Sequence, residues 1–422
     1  MLRVKALALL LAALCLITTP ALSEKLYKLK EFKPDVSYTA ASYSVSFLAK
    51  EIEAASYDAN GHLGYILVAS DSADNLVIST WQSNVEIPKD FIDRGKARSV
   101  SIAKIDNTHF ITPVIDGSNK LRVILWKITG NGTITYRGFR SGPEVTEVTS
   151  ASSGSAAMVV AQRKNGTLFA QAFKLKQAED IPTEKALDRR GIYEFAGSAD
   201  QLALSDGTAN LLAFRDEDGK LRVTRLRKRQ NASVIERGPT LVSMGQIQKA
   251  AITAADGTPN GRWITLSTSK GPSEFKTGHR CLGQTIHKEP HGRGKLIEWD
   301  IGTDGTQYLR RGADREFQGS GGVAKEVAVE VISNGNYLVS SHLGFDTFCK
   351  RNPKNRGKQR MEVHLWDHAG TTYDKDASGR INGKYYDVAL AEFHPIQNYD
   401  ANFVVALIGE NQQVKLSIWG VK

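Results

Sequence analysis

Ten basic side chains crowd into two short segments, and that density is the plainest chemistry this sequence offers. The segment 270–294 carries Lys276, Arg280, Lys288 and Arg293, with His279, His287 and His291 among them. The segment 343–359 carries Lys350, Arg351, Lys354, Arg356 and Lys358, and Arg360 follows it directly. A positive prominence of this kind attracts an acidic ligand; its plainer reading is a loop kept soluble by charge. The three histidines match no familiar zinc spacing and are read as polar loop residues.

Each segment also holds one cysteine, Cys281 and Cys349. In an oxidising compartment the two are expected to form a disulfide that ties the segments together. A third constellation runs from Asp374 to Asn382. Asp374, Asp376, Ser378 and Asn382 stand at positions one, three, five and nine, with Gly379 at six. That spacing is similar to the oxygen ligands of calcium loops. Ser378 replaces a carboxylate and Tyr385 stands where an EF-hand has glutamate, so an ordinary Asp/Gly turn is the simpler reading. Ca2+ is the one ion considered, and no other cofactor is expected. There is no G-x-S-x-G, no H-E-x-x-H and no glycine-rich phosphate loop with its lysine.

The N-terminus reads as a removable signal peptide over residues 1–23. Arg3 and Lys5 precede an apolar stretch from Leu7 to Thr18, and small residues lead to Ser23. The apolar stretch is short of the ~20 residues that span a bilayer, and no later stretch is longer. The expectation is an exported chain, periplasmic or extracellular, beginning near Glu24 and free of integral spans. The formal net charge is +10, two units of which leave with Arg3 and Lys5. A positive balance favours anionic partners. For an exported chain those are acidic glycans, polysaccharides or envelope proteins rather than nucleic acid.

What positions these residues is a repeat. An apolar residue sits five positions before a bulky one, and a second sits three before it. The pattern reads Leu76/Ile78/Trp81, Leu121/Val123/Trp126, Leu168/Ala170/Phe173 and Leu221/Val223/Leu226. It continues with Leu296/Trp299, Met361/Val363/Trp366 and Val414/Leu416/Trp419. A period of ~40–50 residues marks one supersecondary unit that buries its faces by stacking on copies of itself. Each unit divides into four short strands, as in Ser99–Lys104, Phe110–Val114, Leu121–Ile128 and Thr133–Arg137. Asp116-Gly117, Asn131-Gly132, Asn165-Gly166 and Asp218-Gly219 supply hairpin turns between them. Only short pieces such as Gln177–Leu187 suggest helix. Arg-Gly recurs in phase at Arg94, Arg137, Arg190, Arg237 and Arg311, each read as a corner after the fourth strand.

The sequence thus resembles the β-propeller superfamily across nearly its whole length, without matching any subfamily motif. Trp299-Asp300 and Trp366-Asp367 are similar to WD-repeat endings, but the other units lack the pair. The expected fold is all-β: a single seven-bladed β-propeller of four-stranded antiparallel blades over residues 24–422. The seventh unit stops after its third strand, so the N-terminal segment Lys25–Lys30 is expected to complete that last blade and remove a free edge. The Trp positions are read as core rather than as sugar-stacking platforms. The segments 270–294 and 343–359 become inserts between second and third strands of neighbouring blades, opening on the same face as the Asp374 segment and the Arg-Gly corners. The leading expectation is a non-catalytic binding or scaffold protein that meets an acidic glycan, polysaccharide or protein partner on that face. The alternatives are a propeller-fold polysaccharide hydrolase or lyase, using His279, His287, His342 or an Asp of the central depression, and an envelope assembly component.

Overall fold

The computed structural model describes residues 26–32, 49–59, 62–82, 91–176, 186–195, 199–207, 209–228, 235–254, 262–276, 286–301, 309–316, 324–332, 337–345, 359–369, 372–393 and 401–421. Among them there is no helix; every regular element is a β-strand. The strands pair antiparallel into four-stranded ladders, seven among the described residues. The first ladder comprises Ala49–Ala59, His62–Asp71, Asn75–Gln82 and Phe91–Lys96. The last comprises Tyr385–Phe393, Ala401–Gly409 and Val414–Val421, with Leu26–Phe32 paired onto Val414–Val421 as its fourth strand. In that pairing Leu26 lies opposite Val421 and Phe32 opposite Leu416.

Hairpins close where a residue accepts positive φ: Asp74, Asn119, Gly219 and Gln412 each take it. At the start of three such turns an aspartate holds the next backbone N–H groups. Asp71 accepts from Asn75 at 2.7 Å, Asp116 from Lys120 at 3.0 Å and Asp216 from Lys220 at 2.8 Å. The acid pair Asp216/Asp218 is therefore turn structure.

The ladders stack face to face, and each apolar cluster is filled by two consecutive ladders. Leu76 and Ile78 of the first meet Val100, Phe110 and Trp126 of the second. Leu67 and Trp81 of the first also meet Val404 and Leu416 of the last. Trp81, Trp126, Phe173, Leu226, Trp299, Trp366 and Trp419 are all buried, so the repeated bulky residue packs between blades. This radial stack of four-stranded antiparallel sheets is a β-propeller. The inner strands lie between two neighbouring blades, which is why they are apolar on both faces; the exposed Phe139 and Ile192 sit on outer strands.

The Arg-Gly pairs are not corners. They lie inside the fourth strands as β-bulges. Leu125 faces Gly138 while Trp126 faces Tyr136, leaving Arg137 as the extra residue. Gln171 faces Ile192 while Ala172 faces Arg190, leaving Gly191. Gly95, Gly138 and Gly191 have φ of 98°, 119° and 58°, which glycine reaches without a Cβ penalty. Arg190 is exposed and pairs at 2.7 Å with Asp188 of its own strand. Gln177–Leu187 falls mostly outside the described residues.

Candidate functional site

The innermost strands of the blades surround a central cavity of about 770 Å³. In several blades the first residue of the innermost strand donates its N–H to the turn of the preceding blade. Ala97 bonds the Asp74 carbonyl at 2.5 Å, Val145 that of Asn119 at 2.8 Å, and Ile247 that of Gly219 at 2.7 Å. Ala49 does the same to Gln412 of the last blade at 2.8 Å. One residue is then bulged out, between Ala49 and Glu51, Ile247 and Lys249, Ala324 and Glu326, and Tyr385 and Asp387. A bulge re-aims the side chain that follows it. The result is a polar ring at one end of the cavity: Glu51, Ser99, Glu147, Gln201, Lys249, Glu326 and Asp387 all line it.

Innermost strands expose an unpaired edge, and the ring carboxylates occupy it. Asp387 accepts from the Ile52 N–H at 2.9 Å. Glu51 accepts from the Val100 N–H and the Ser99 hydroxyl, both at 3.2 Å. Glu147 accepts from the N–H groups of Gln201 and Leu202 at 3.0 and 2.6 Å. Between the second and third blades the Ser101 hydroxyl accepts from the Ser150 N–H at 2.9 Å. Between the fifth and sixth, Lys249 Nζ reaches Glu326 Oε1 at 3.1 Å. Each bond crosses from one blade to its neighbour.

Deeper in the cavity lie Glu53, Lys104, Asp206 and Glu330. The whole lining has seven carboxyl groups against four cations: Lys50, Arg98, Lys104 and Lys249. Burial raises the Glu51 carboxyl to about 7 against the pull of Val100, Ser99 and Lys249. Burial and then the neighbouring Glu51 push Glu53 to about 8. Glu147 and Asp206 are also raised by burial, though the N–H groups they accept from oppose it. Burial carries Glu330 well above the carboxylate range, with Asp206, Glu392 and Glu53 adding to it. Asp387 goes the same way, through burial and then Glu326 and Glu51. Glu53 and Asp206 line the cavity with their side chains open to it. Burial works to discharge Lys249, but Glu326, Asp387 and Glu51 outweigh it and hold the ammonium charged.

Lys276, Lys288 and Arg293 fall on strands of the fifth blade. There the insert 270–294 is not a loop throughout: Trp263–Lys276 and Ile286–Ile301 stay paired outward from Lys270 opposite His291 to Lys276 opposite Ile286. Arg360 is the second residue of the third strand of the sixth blade, Gln359–Ala369, opposite Gly344. Arg280, Cys281, Cys349, Lys350, Arg351, Lys354, Arg356 and Lys358 lie outside the described residues, and so does the expected disulfide. The Asp374–Asn382 segment, read as a turn of calcium-loop spacing, is instead an outer strand, Thr372–Asn382. Asp374 pairs opposite Asp367 and Ser378 opposite His364, with Asp376 bulged out between Lys375 and Ala377. The backbone of this segment is extended at ~3.3 Å per residue, where a calcium loop turns round its ion.

The ring carboxylates were legible only in part. Ala49, Ala97 and Val145 fall at equal spacing, and two residues beyond them stand Glu51, Ser99 and Glu147. That in-phase polar position was the available signal.

The fold and its central cavity define a β-propeller protein. Among solved structures the chain is similar to the Cps50 (Swd1) β-propeller domain of Myceliophteria thermophila. The TM-score is 0.52 at 11% identity, covering 94% of this chain and 100% of that one. It also aligns with BBS1N, solved in complex with ARL6DN, at a TM-score of 0.47 and 9% identity over 94% of this chain and 97% of that one. No protein-family model matches the sequence, and no curated protein does. Among the described residues no helix is long and apolar enough to cross a membrane.

Proposed function

We propose that the chain is an exported, non-catalytic binding protein whose basic inserts engage an acidic macromolecule of the cell envelope. The observation that carries this reading is the paired hairpin of the fifth blade. Its strands continue outward past the ladder through Lys276 opposite Ile286, a stiff support for basic residues. It extends from the second and third strands, and the turns between those strands in other blades touch the starts of the innermost strands. The fifth-blade hairpin therefore opens toward the face that carries the polar ring, and the second insert is proposed to join it there. Cleavage after Ser23 and a Cys281–Cys349 bond that steadies both inserts belong to the same proposal. Most ring carboxylates brace one blade against the next, which favours a scaffold over a reaction centre.

The test uses mature protein, residues 24–422, titrated with acidic and neutral polysaccharides at low and high salt, with product release followed in the same samples. Salt-sensitive binding without turnover, lost when Lys350, Arg351, Lys354, Arg356, Lys358 and Arg360 are neutralised, is the expected result. Non-reducing peptide mass mapping checks the disulfide. A second reading, polysaccharide hydrolysis or lysis, draws on the carboxyl groups of the cavity, one of them held near neutrality at about 7. Product release would establish it and sink the first. Absence of both binding and turnover directs the search to an envelope protein, by capture from envelope extracts.

A further inference from the structure

The two large apolar residues exposed among the described residues, Phe139 at 38% and Ile192 at 57%, occupy the same place on neighbouring blades. Each follows the glycine of an Arg-Gly bulge in a fourth strand, Gly138 on the second blade and Gly191 on the third. The Arg122 guanidinium covers the Phe139 ring at 4.3 Å, while Ile192 stays more than half open to solvent. Register sets its direction. Leu187–Phe195 places Arg189 opposite Phe173 and Ile192 opposite Gln171, two positions on one face. Phe173 packs in the apolar cluster shared with the second blade, so Arg189 and Ile192 both point toward that blade. Three residues apart in sequence, they share a face because the bulge inserts Gly191 between them. From the other side Arg140, opposite Val123 of the same cluster, points back.

The groove between these two fourth strands is positive. Arg140 donates from Nε to the Leu187 carbonyl at 2.9 Å, and Arg189 donates to the Ser141 carbonyl, so the arginines cross between blades in opposite directions. They meet as like charges: burial and then Arg140 both work to discharge Arg189. No carboxylate among the described residues answers Arg189, because the acids of its own strand are taken. Asp188 pairs with Arg190 at 2.7 Å, and Glu194 pairs with Arg163. A guanidinium has five N–H donors, and Ser141 occupies one side of it.

We infer that this groove is a docking site for an acidic segment of a partner protein, in which a carboxylate pairs with Arg189 and an apolar side chain covers Ile192. The two requirements come from separate observations, one of charge and one of exposure, and they fall on one face. Arginine holds a carboxylate through two parallel bonds. An aliphatic contact beside it selects a protein over a carbohydrate chain, whose surface is mostly hydroxyl groups. The bulge and the charges blunt the strand edge against direct pairing, so side chains carry the contact. The site is separate from the basic inserts of the fifth and sixth blades and does not depend on them.

The experiment is methyl NMR on mature protein labelled at the isoleucine δ1 methyl groups. It is titrated with a short acetylated peptide of alternating glutamate and leucine, at low and high salt. Ile192→Val removes one signal and so assigns it; that signal reads the groove alone, whatever the peptide does at the inserts. Expected is a saturable shift of the Ile192 signal that salt weakens and that a glutamine-for-glutamate peptide does not produce. Arg189→Gln should weaken the affinity about tenfold or more, and Arg189→Lys should restore only part of it, because an ammonium lacks the planar fork. Thermal melts establish that both variants are folded. An Ile192 signal that does not move, or a shift that Arg189→Gln leaves unchanged, overturns the inference. So does a shift caused by a sulfated polysaccharide or by anionic phospholipid vesicles but not by the peptide. Peptide binding that begins only when Glu179, Asp180 and Glu184 are changed to their amides assigns Arg189 to the chain's own segment 177–185 and overturns it as well.

Discussion

Asp387 on the innermost strand of the last blade accepts a hydrogen bond of 2.9 Å from the backbone N–H of Ile52 on the first, 335 residues away in the chain. Beside it, Tyr386 donates its hydroxyl hydrogen to the Ala49 carbonyl at 2.7 Å, and Ala49 donates to Gln412. The first and last blades are thus held by the same kind of bond that joins their neighbours, in addition to a shared apolar cluster. Asp387 also accepts from the Val388 N–H at 2.9 Å. Asp387→Asn keeps the Ile52 bond and turns an amide donor toward Val388, a loss of about 1 kcal/mol. Asp387→Ala leaves both N–H groups unmet and costs about 2–3 kcal/mol. Urea melts at pH 6 measure the order; equal midpoints for Ala and wild type would remove the brace from the account.

The cavity carboxyls set the pH dependence of stability. Glu51 and Glu53 move from 4.5 to about 7 and about 8 on folding. Between those values the folded chain binds more protons than the unfolded one, so stability falls as pH rises from 4.5 through 8. On the acid side the sign reverses. Against the cost of burial, hydrogen bonds from His109 and Thr108 hold Asp106 at about 2, and that stabilisation is lost as pH falls toward 2. The melting temperature should therefore be highest near pH 5. Glu53→Gln should flatten the fall between pH 5 and 8, and a melting temperature that climbs across that window would contradict the assignment.

Two of the repeated tryptophans carry a second, polar contact. Trp126 donates its indole N–H to the Thr112 hydroxyl at 2.7 Å, and Trp299 does the same to Thr265 at 2.9 Å. Thr112→Val leaves a buried N–H unmet and should cost about 1–3 kcal/mol. In the Trp126→Phe background, which has no indole donor, the same substitution should cost much less. A double-mutant cycle reads the difference, and additivity would argue against the bond.

The outer-strand bulges make a further prediction. Gly138 lies opposite Leu125 at a φ of 119°, where any side chain is strained. Gly138→Ala should lose about 1–3 kcal/mol. Gly117→Ala, at a turn position without positive φ, should lose less. Chemical denaturation of the two variants compares them directly.

The sequence by itself determined the class of fold and the blade core. The apolar triplets ending in Trp81, Trp126 or Trp419, and the turn pairs between them, act over a few residues, so their period is readable along the chain. The residues of a blade pair with near neighbours in sequence, and all-β architecture follows from that local pattern. Tertiary structure decided the rest. Whether Arg137-Gly138 ends a strand or bulges it depends on the register against Trp126, and whether Asp374–Asn382 turns or extends depends on its pairing with the third strand of its blade. The central cavity is the most distant from sequence. Glu51, Glu147, Lys249, Glu326 and Asp387 come from five different blades, and each looks like an isolated polar residue in its own strand. Only convergence of the blades brings their charges within reach of one another, and the shifts in their proton affinity are sums over those neighbours.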